Sequence, residues 1–146
     1  MSSLYDSDFH AWTHEQASLL RAGNLAEADF SHIIDEIESM GRSEQRELVN
    51  RLVVLLLHLL KWRFQPGLRG NSWRLSIKEQ RLRLDLHLAD NPSLKAKLDQ
   101  AITQAYRLAL IEAERETGLA ESTFPVVCPF SFSQIMDDAF WPDRAG

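Results

Sequence analysis

Apolar residues recur at helical spacing along most of the chain, and this pattern predicts an all-α fold. Over residues 29–40 they fall at positions i, i+3, i+4 and i+7, which places them on one face of a helix. The residues of that face are Phe30, Ile33, Ile34, Ile37 and Met40. Residues 94–109 repeat the pattern with leucine, isoleucine and alanine. Both stretches are therefore expected to be amphipathic helices that turn their apolar faces toward the core.

Glycine, proline and capping residues divide this pattern into five main helices and a short C-terminal helix. Gly41 is expected to break or bend the chain, so that a second helix ends there and a third begins near Ser43. The predicted helices cover residues 8–22, 29–40, 43–65, 72–89, 91–117 and 131–140. The sequence therefore predicts a compact all-α bundle, a single domain over residues 1–146, with the third helix at its centre.

Residues 81–88 alternate strictly between polar and apolar side chains, which is a strand pattern. Helix is nevertheless the prediction, because leucine, arginine and aspartate are poor strand formers and because good helix formers precede the segment. On a helix the apolar residues form two stripes on nearly opposite sides. The stripes are Leu75, Leu82 and Leu86 on one side, and Ile77, Leu84 and Leu88 on the other. This helix is therefore expected to be sandwiched between neighbours.

Composition narrows the class of protein to an ordinary globular domain. The chain has 146 residues, of which 45% are hydrophobic and 25% charged, and this is enough to bury a proper core. Its one cysteine, Cys128, cannot form an internal disulfide. The polar N-terminus lacks the features of a signal peptide, and no apolar run approaches the roughly 20 residues of a membrane span. We therefore expect a soluble cytoplasmic protein that does not bind a membrane.

Short motifs spread over nearly the whole chain form a specific combination. They are Tyr5-Asp6-Ser7-Asp8-Phe9, Ala11-Trp12-Thr13, Glu36-Ile37-Glu38-Ser39-Met40-Gly41-Arg42-Ser43-Glu44, His58-Leu59-Leu60-Lys61-Trp62, Ser72-Trp73-Arg74, Asn91-Pro92-Ser93-Leu94, Glu116-Thr117-Gly118-Leu119 and Cys128-Pro129. In this order the motifs resemble a bacterial family classified as a domain of unknown function, number twenty-nine in that series. The resemblance implies an all-α fold and no established activity. Members more often have an aromatic residue and Gln where this chain has His10 and His14, so a chemistry that needs both histidines would not be shared by the family.

A polar seam runs along the third predicted helix, which is otherwise apolar over most of its circumference. The seam contains Glu44, Glu47, Arg51, His58, Lys61, Trp62 and Gln65. A turn at Gly41 would lay the second helix antiparallel against the third, so that Asp35, Glu36 or Glu38 could face the seam. Together these residues could form a small polar site for an enzyme or a ligand-binding protein. The competing interpretation is a narrow solvent-exposed face or an internal ion-pair network.

Histidines at helical spacing raise the question of a metal site. His10 with His14, and His32 with Glu36, are four residues apart and could each present two ligands on one helical face. No His-Glu-x-x-His motif or cysteine pair supplies further ligands. We therefore expect no metal and no cofactor.

Positive charge is concentrated in residues 61–83, although the chain as a whole has a net charge of −5. Aromatic residues lie between these cations, an arrangement that can bind a nucleic-acid backbone. The candidate basic patch consists of Arg63, Arg69, Arg74, Lys78, Arg81 and Arg83. Nucleic-acid binding requires that five of these cations project into solvent on one face, namely Arg69, Arg74, Lys78, Arg81 and Arg83. The competing interpretation is that they balance acidic residues of the second helix or contact an acidic partner.

No Gly-rich phosphate loop or nucleophile elbow is present in the sequence. Charge segregation and the aromatic residues of the tail favour instead a non-catalytic protein-interaction or regulatory module that binds another protein or a second copy of itself. A nucleic-acid-binding protein and an enzyme or small-ligand binder remain the alternatives.

Overall fold

The computed structural model of the protein describes residues 4–143, and within this range it contains helices and no strand. The predicted all-α fold is therefore confirmed. The helices are α1 (Leu4–Ser7), α2 (Phe9–Arg21), α3 (Phe30–Phe64), α4 (Asn71–Asp90), α5 (Leu98–Thr117) and α6 (Phe132–Met136). Short 3-10 turns lie at Pro66–Leu68, Pro92–Lys97 and Glu121–Thr123. Contacts divide the chain into two compact units, Met1–Ser43 and Glu44–Gly146, and the single domain over residues 1–146 stays a prediction.

The predicted break at Gly41 is wrong. Gly41 lies inside α3, a continuous helix of 35 residues that includes both the second and the third predicted helices. Positive φ angles occur at Gly23 and Gly118, where helices end, but not at Gly41. A glycine inside a helix costs about 1 kcal/mol relative to alanine, and strong helix formers on both sides of Gly41 offset this cost. The described chain therefore has four long helices, and the antiparallel pairing that the seam prediction assumed is replaced by one continuous helix.

The second unit is built on a leucine-rich core. Its fully buried large side chains are Leu48, Leu52, Leu55, Leu56, Leu59, Leu60, Ile77, Leu84 and Ile135. The helix α3 contributes more buried residues than α4 or α5 does. Burying one such side chain stabilises the folded state by about 1.5–3 kcal/mol. The segment near residues 48–60 is therefore central to the core, as predicted.

The helix α4 buries one of its two predicted stripes. Ile77, Leu84 and Leu88 lie in the core. The opposite stripe is open to solvent, with Leu75, Leu82 and Leu86 exposed by 45%, 59% and 57%. The strand-like alternation is indeed helical, but the expectation that α4 is sandwiched between neighbours is wrong, because it packs through one face.

The first unit consists of α1, α2 and the beginning of α3. Trp12 and Gln16 on α2 are buried. The apolar face of residues 29–40, predicted to be core, is instead largely exposed. Among residues 4–143, no helix combines the length and the apolar composition needed to cross a membrane.

Candidate functional site

The most prominent surface feature of the first unit is a row of large apolar side chains on α3. We call this row the α3 stripe. It consists of Phe30, Ile34, Ile37 and Met40, which are exposed by 44%, 53%, 62% and 67%. These positions are three or four residues apart, so they share one face of the helix.

The other side of α3 is held by a polar and aromatic cluster. The Tyr5 ring stacks on the His32 ring, with centroids 3.8 Å apart, and its hydroxyl donates to Glu36 Oε2 at 2.9 Å. Asp29 Oδ2 lies 2.7 Å from His32 Nδ1 and accepts from Trp12 Nε1 at 3.3 Å. Since α3 attaches to α1 and α2 through this cluster, its apolar stripe points elsewhere.

Charge and hydrogen bonding shift three pKa values in this cluster. The hydrogen bond to His32 lowers the pKa of Asp29, and the same bond raises the pKa of His32. The hydrogen bond to Glu36 raises the pKa of Tyr5. The Asp29 carboxylate also accepts from the backbone N–H of His32 and so caps the start of α3. The cluster therefore connects α3 to α1 and α2 and caps the start of α3, and this structural role accounts for its contacts.

A second exposed apolar row lies on α4, and we call it the α4 stripe. It consists of Leu75, Leu82 and Leu86. Arg74 and Lys78 are exposed on the same helix, and Arg83 forms an ion pair with Glu79 at 2.7 Å. The helices α3 and α4 thus each expose a row of apolar side chains, α3 in the first unit and α4 in the second.

The residues of the predicted polar seam do not share one site, because they contact different partner residues. Asp35 and Glu38 are exposed on the first part of α3, whereas Glu36 accepts the hydrogen bond from Tyr5. Arg51 forms an ion pair with Glu47 at 3.5 Å. The turn at Gly41 that would have brought the three acids to the seam is absent, because α3 is continuous.

Three further seam residues make contacts typical of structural roles. The His58 ring bonds through Nδ1 to the Val54 carbonyl oxygen at 2.7 Å, and burial lowers its pKa. Lys61 Nζ donates to Glu116 Oε1 at 2.7 Å and lies 4.9 Å from the centre of the Trp73 ring. The ring of Trp62 packs against Trp141, with centroids 4.6 Å apart. Each of the three side chains has its own partner, and among them Lys61 forms an ion pair.

The predicted basic patch is partly an internal feature. Arg81 is 3% exposed and donates to the carbonyl oxygens of Ile135 and Phe140, at 2.7 and 2.8 Å. Burial lowers its pKa. By satisfying backbone carbonyls, Arg81 fixes α6 and the following residues to α4.

Two other cations of the patch are also engaged. Arg69 donates to the Trp62 carbonyl oxygen at 2.7 Å, and Arg63 is half-buried with its guanidinium over the Phe64 ring. Arg74, Lys78 and Arg83 remain on the surface. The six cations therefore do not all project into solvent on one face, and nucleic-acid binding stays a prediction.

The C-terminal segment and α4 enclose a small cleft of about 230 Å³. It is lined by Arg74, Lys78, Arg81, Asp138 and Trp141. Asp138 places a negative charge among the cations, so the cleft is not a simple anion site.

In a comparison with protein families, a family model described as domain of unknown function DUF29 matches residues 4–141 of the chain. The chain belongs to the DUF29 family. This confirms the resemblance predicted from the motifs. The six α-helices found among residues 4–143 lie within the matched range, so both units contribute to the DUF29 domain. No curated protein and no solved structure matches the chain.

One group in this DUF29 domain was not predicted as a site. Glu44, Glu47 and His87 bring two carboxylates and an imidazole together, with ligand atoms that all lie within 4.8 Å of one another. The sequence placed both glutamates on the seam of α3 but did not include His87. His87 is 43 residues from Glu44, and no local spacing could indicate a contact across that distance.

Proposed function

We propose that this DUF29 protein is a non-catalytic, cytoplasmic protein-interaction or regulatory module, and that the α3 stripe is its docking surface. The exposure of four large apolar residues on one helical face supports the proposal. Scattered apolar residues are normal on protein surfaces, but a contiguous row is typical of interaction sites. The one cysteine of the chain, Cys128, favours a reducing compartment.

We propose a second copy of the chain as the partner, bound through its α4 stripe. Exposed Glu38 lies beside the α3 stripe, one turn from Ile34, and exposed Lys78 lies beside the α4 stripe, one turn from Leu75 and from Leu82. A contact between the two different stripes can pair Glu38 of one copy with Lys78 of the other, and opposite charges speed and orient association.

Sedimentation velocity over a range of protein concentrations tests this proposal. The wild-type chain is expected to associate, and Ile37→Ser in the α3 stripe is expected to weaken association at least about fivefold, the equivalent of about 1 kcal/mol. Isoleucine and serine have similar helix propensities, so α3 is retained. Val126→Ser is the matched control, because Val126 is 91% exposed and lies outside both stripes.

A charge exchange tests the pairing of the stripes. Glu38→Lys and Lys78→Glu should each weaken association, and the double variant should restore part of it. A wild-type chain that stays monomeric at every concentration would overturn self-association. Equal losses in Ile37→Ser and Val126→Ser would overturn the α3 stripe as the contact.

A further inference from the structure

The orientation of His87 is fixed by a backbone contact. Its side chain is 6% exposed, on the last turn of α4 in the second unit. Nε2 lies 2.9 Å from the Glu44 carbonyl oxygen. Because a carbonyl oxygen can only accept a hydrogen bond, Nε2 must carry a proton. Nδ1 is therefore the free position of the ring in its neutral form.

Nδ1 points at two carboxylates. It lies 2.7 Å from Glu47 Oε2 and 3.7 Å from Glu44 Oε2. An ionised carboxylate also only accepts hydrogen bonds. A neutral ring would thus direct its lone pair at two negatively charged oxygens, which is unfavourable unless a positive charge lies between them. That charge can be a second ring proton or a metal ion.

We propose that Glu44, Glu47 and Nδ1 of His87 bind one divalent transition-metal ion of the Zn²⁺ type. Glu44 and Glu47 are one turn apart on α3, so their carboxylates share the face that α4 approaches. A set of one imidazole and two carboxylates suits Zn²⁺ and similar ions, whereas Mg²⁺ and Ca²⁺ prefer oxygen ligands alone.

The surroundings resemble the outer sphere of a metal site. The hydrogen bond from Nε2 to a carbonyl oxygen is the contact that commonly orients a metal-binding histidine. Arg51 lies 3.5 Å from Glu47 Oε1, and Asn91 Nδ2 lies 3.4 Å from Glu44 Oε2. The two carboxylate side chains are 50% and 45% exposed, which gives an ion a path from solvent and leaves room for water ligands.

Zn²⁺ titration of the untagged full chain, followed by isothermal calorimetry, tests the site. One ion per chain is expected to bind. Glu47→Gln keeps the size of the side chain and removes one charged ligand, so it should weaken Zn²⁺ binding at least about tenfold. The control is the double variant His10→Gln with His14→Gln, because those exposed histidines form the competing surface pair, with ring centroids 4.7 Å apart. This control should bind as the wild type does.

The ring nitrogens of His87 give a second, independent readout. In NMR spectra of the Zn²⁺-saturated chain, Nδ1 should carry the metal and Nε2 should keep its proton. A doubly protonated ring that persists in excess Zn²⁺ would overturn the proposal in favour of a plain ion pair. The absence of Zn²⁺ binding, or equal binding by Glu47→Gln and the wild type, would also overturn it. Neither result bears on self-association, which uses other residues.

Discussion

The two units of this DUF29 domain are stabilised in different ways, although one helix runs through both. The second unit buries a leucine-rich core in which nine large side chains are almost inaccessible to solvent. The first unit, within its described residues, buries Trp12 and Gln16 and depends on hydrogen bonds around Asp29. Apolar burial contributes more to stability than exposed polar contacts do. A continuous helix therefore need not have uniform stability along its length.

Polar side chains also have different structural roles in the two units. In the second unit Lys61 and Arg81 are buried, and each is satisfied by a fixed partner, Glu116 for Lys61 and backbone carbonyls for Arg81. Removing such a partner leaves a buried charge, which is costly. In the first unit the polar atoms of Asp29 and His32 lie near the surface, where water can replace a lost partner. We therefore expect mutations to act globally in the second unit and locally in the first.

The largest effect is expected from Leu56→Ala. Leu56 is 0% exposed, and truncation should lower the free energy of unfolding by about 2–5 kcal/mol through lost burial and a residual cavity. Ile34→Ala on the same helix is the matched comparison and should change it by less than about 0.5 kcal/mol, because Ile34 is 53% exposed. Urea denaturation measures both, at protein concentrations low enough to keep the chain monomeric. Similar losses in the two variants would mean that the α3 stripe is buried within the single chain.

The sequence predicts the second unit better than the first, for a physical reason. In residues 48–60 almost every position is apolar, so any orientation of the helix buries leucines. In residues 29–40 a single apolar stripe indicated a core face, yet Ile37 is exposed, because a periodic pattern shows which residues share a face but not what covers it. The same limit explains the exposed Leu82 on α4.

The errors about the site have a related cause. The break at Gly41 was inferred from one residue, whereas the propensities of a whole turn decide whether a helix continues. The seam residues themselves were found, but their partners were not, because Lys61 pairs with Glu116 and His87 approaches Glu44 across long sequence separations. Spacing along one helix carries no information about a facing helix.

A smaller, local effect is expected from Trp12→Phe. This change keeps an aromatic ring but removes the hydrogen bond from Nε1 to Asp29, which lies 3.3 Å away. The loss should be about 0.5–1.5 kcal/mol. Native-state hydrogen exchange should show weaker protection of the α2 amides, with unchanged protection around Leu56. Equal loss of protection in both places would show that the units unfold together.

The smallest expected effect is an opposite response of the two units to pH. The hydrogen bond to Asp29 raises the pKa of His32 in the folded chain. The stabilisation that protonated His32 contributes is therefore complete below the pKa of the unfolded chain, about 6.5, and is lost as the pH rises through the pKa of the folded chain. The pKa of His58 is lowered by burial, so the unfolded chain binds the proton more readily, and stability falls as pH drops below about 6.5.

Lowering the pH from above to below about 6.5 should therefore raise the stability of the first unit and lower the stability of the second. Hydrogen-exchange protection factors, corrected for the intrinsic pH dependence of exchange, report on each unit in one experiment. His32→Gln should abolish the response of the first unit alone, and His58→Gln that of the second alone. If both units instead respond in the same direction, the continuous α3 helix couples their unfolding. In that case Trp12→Phe would also weaken hydrogen-exchange protection in the second unit.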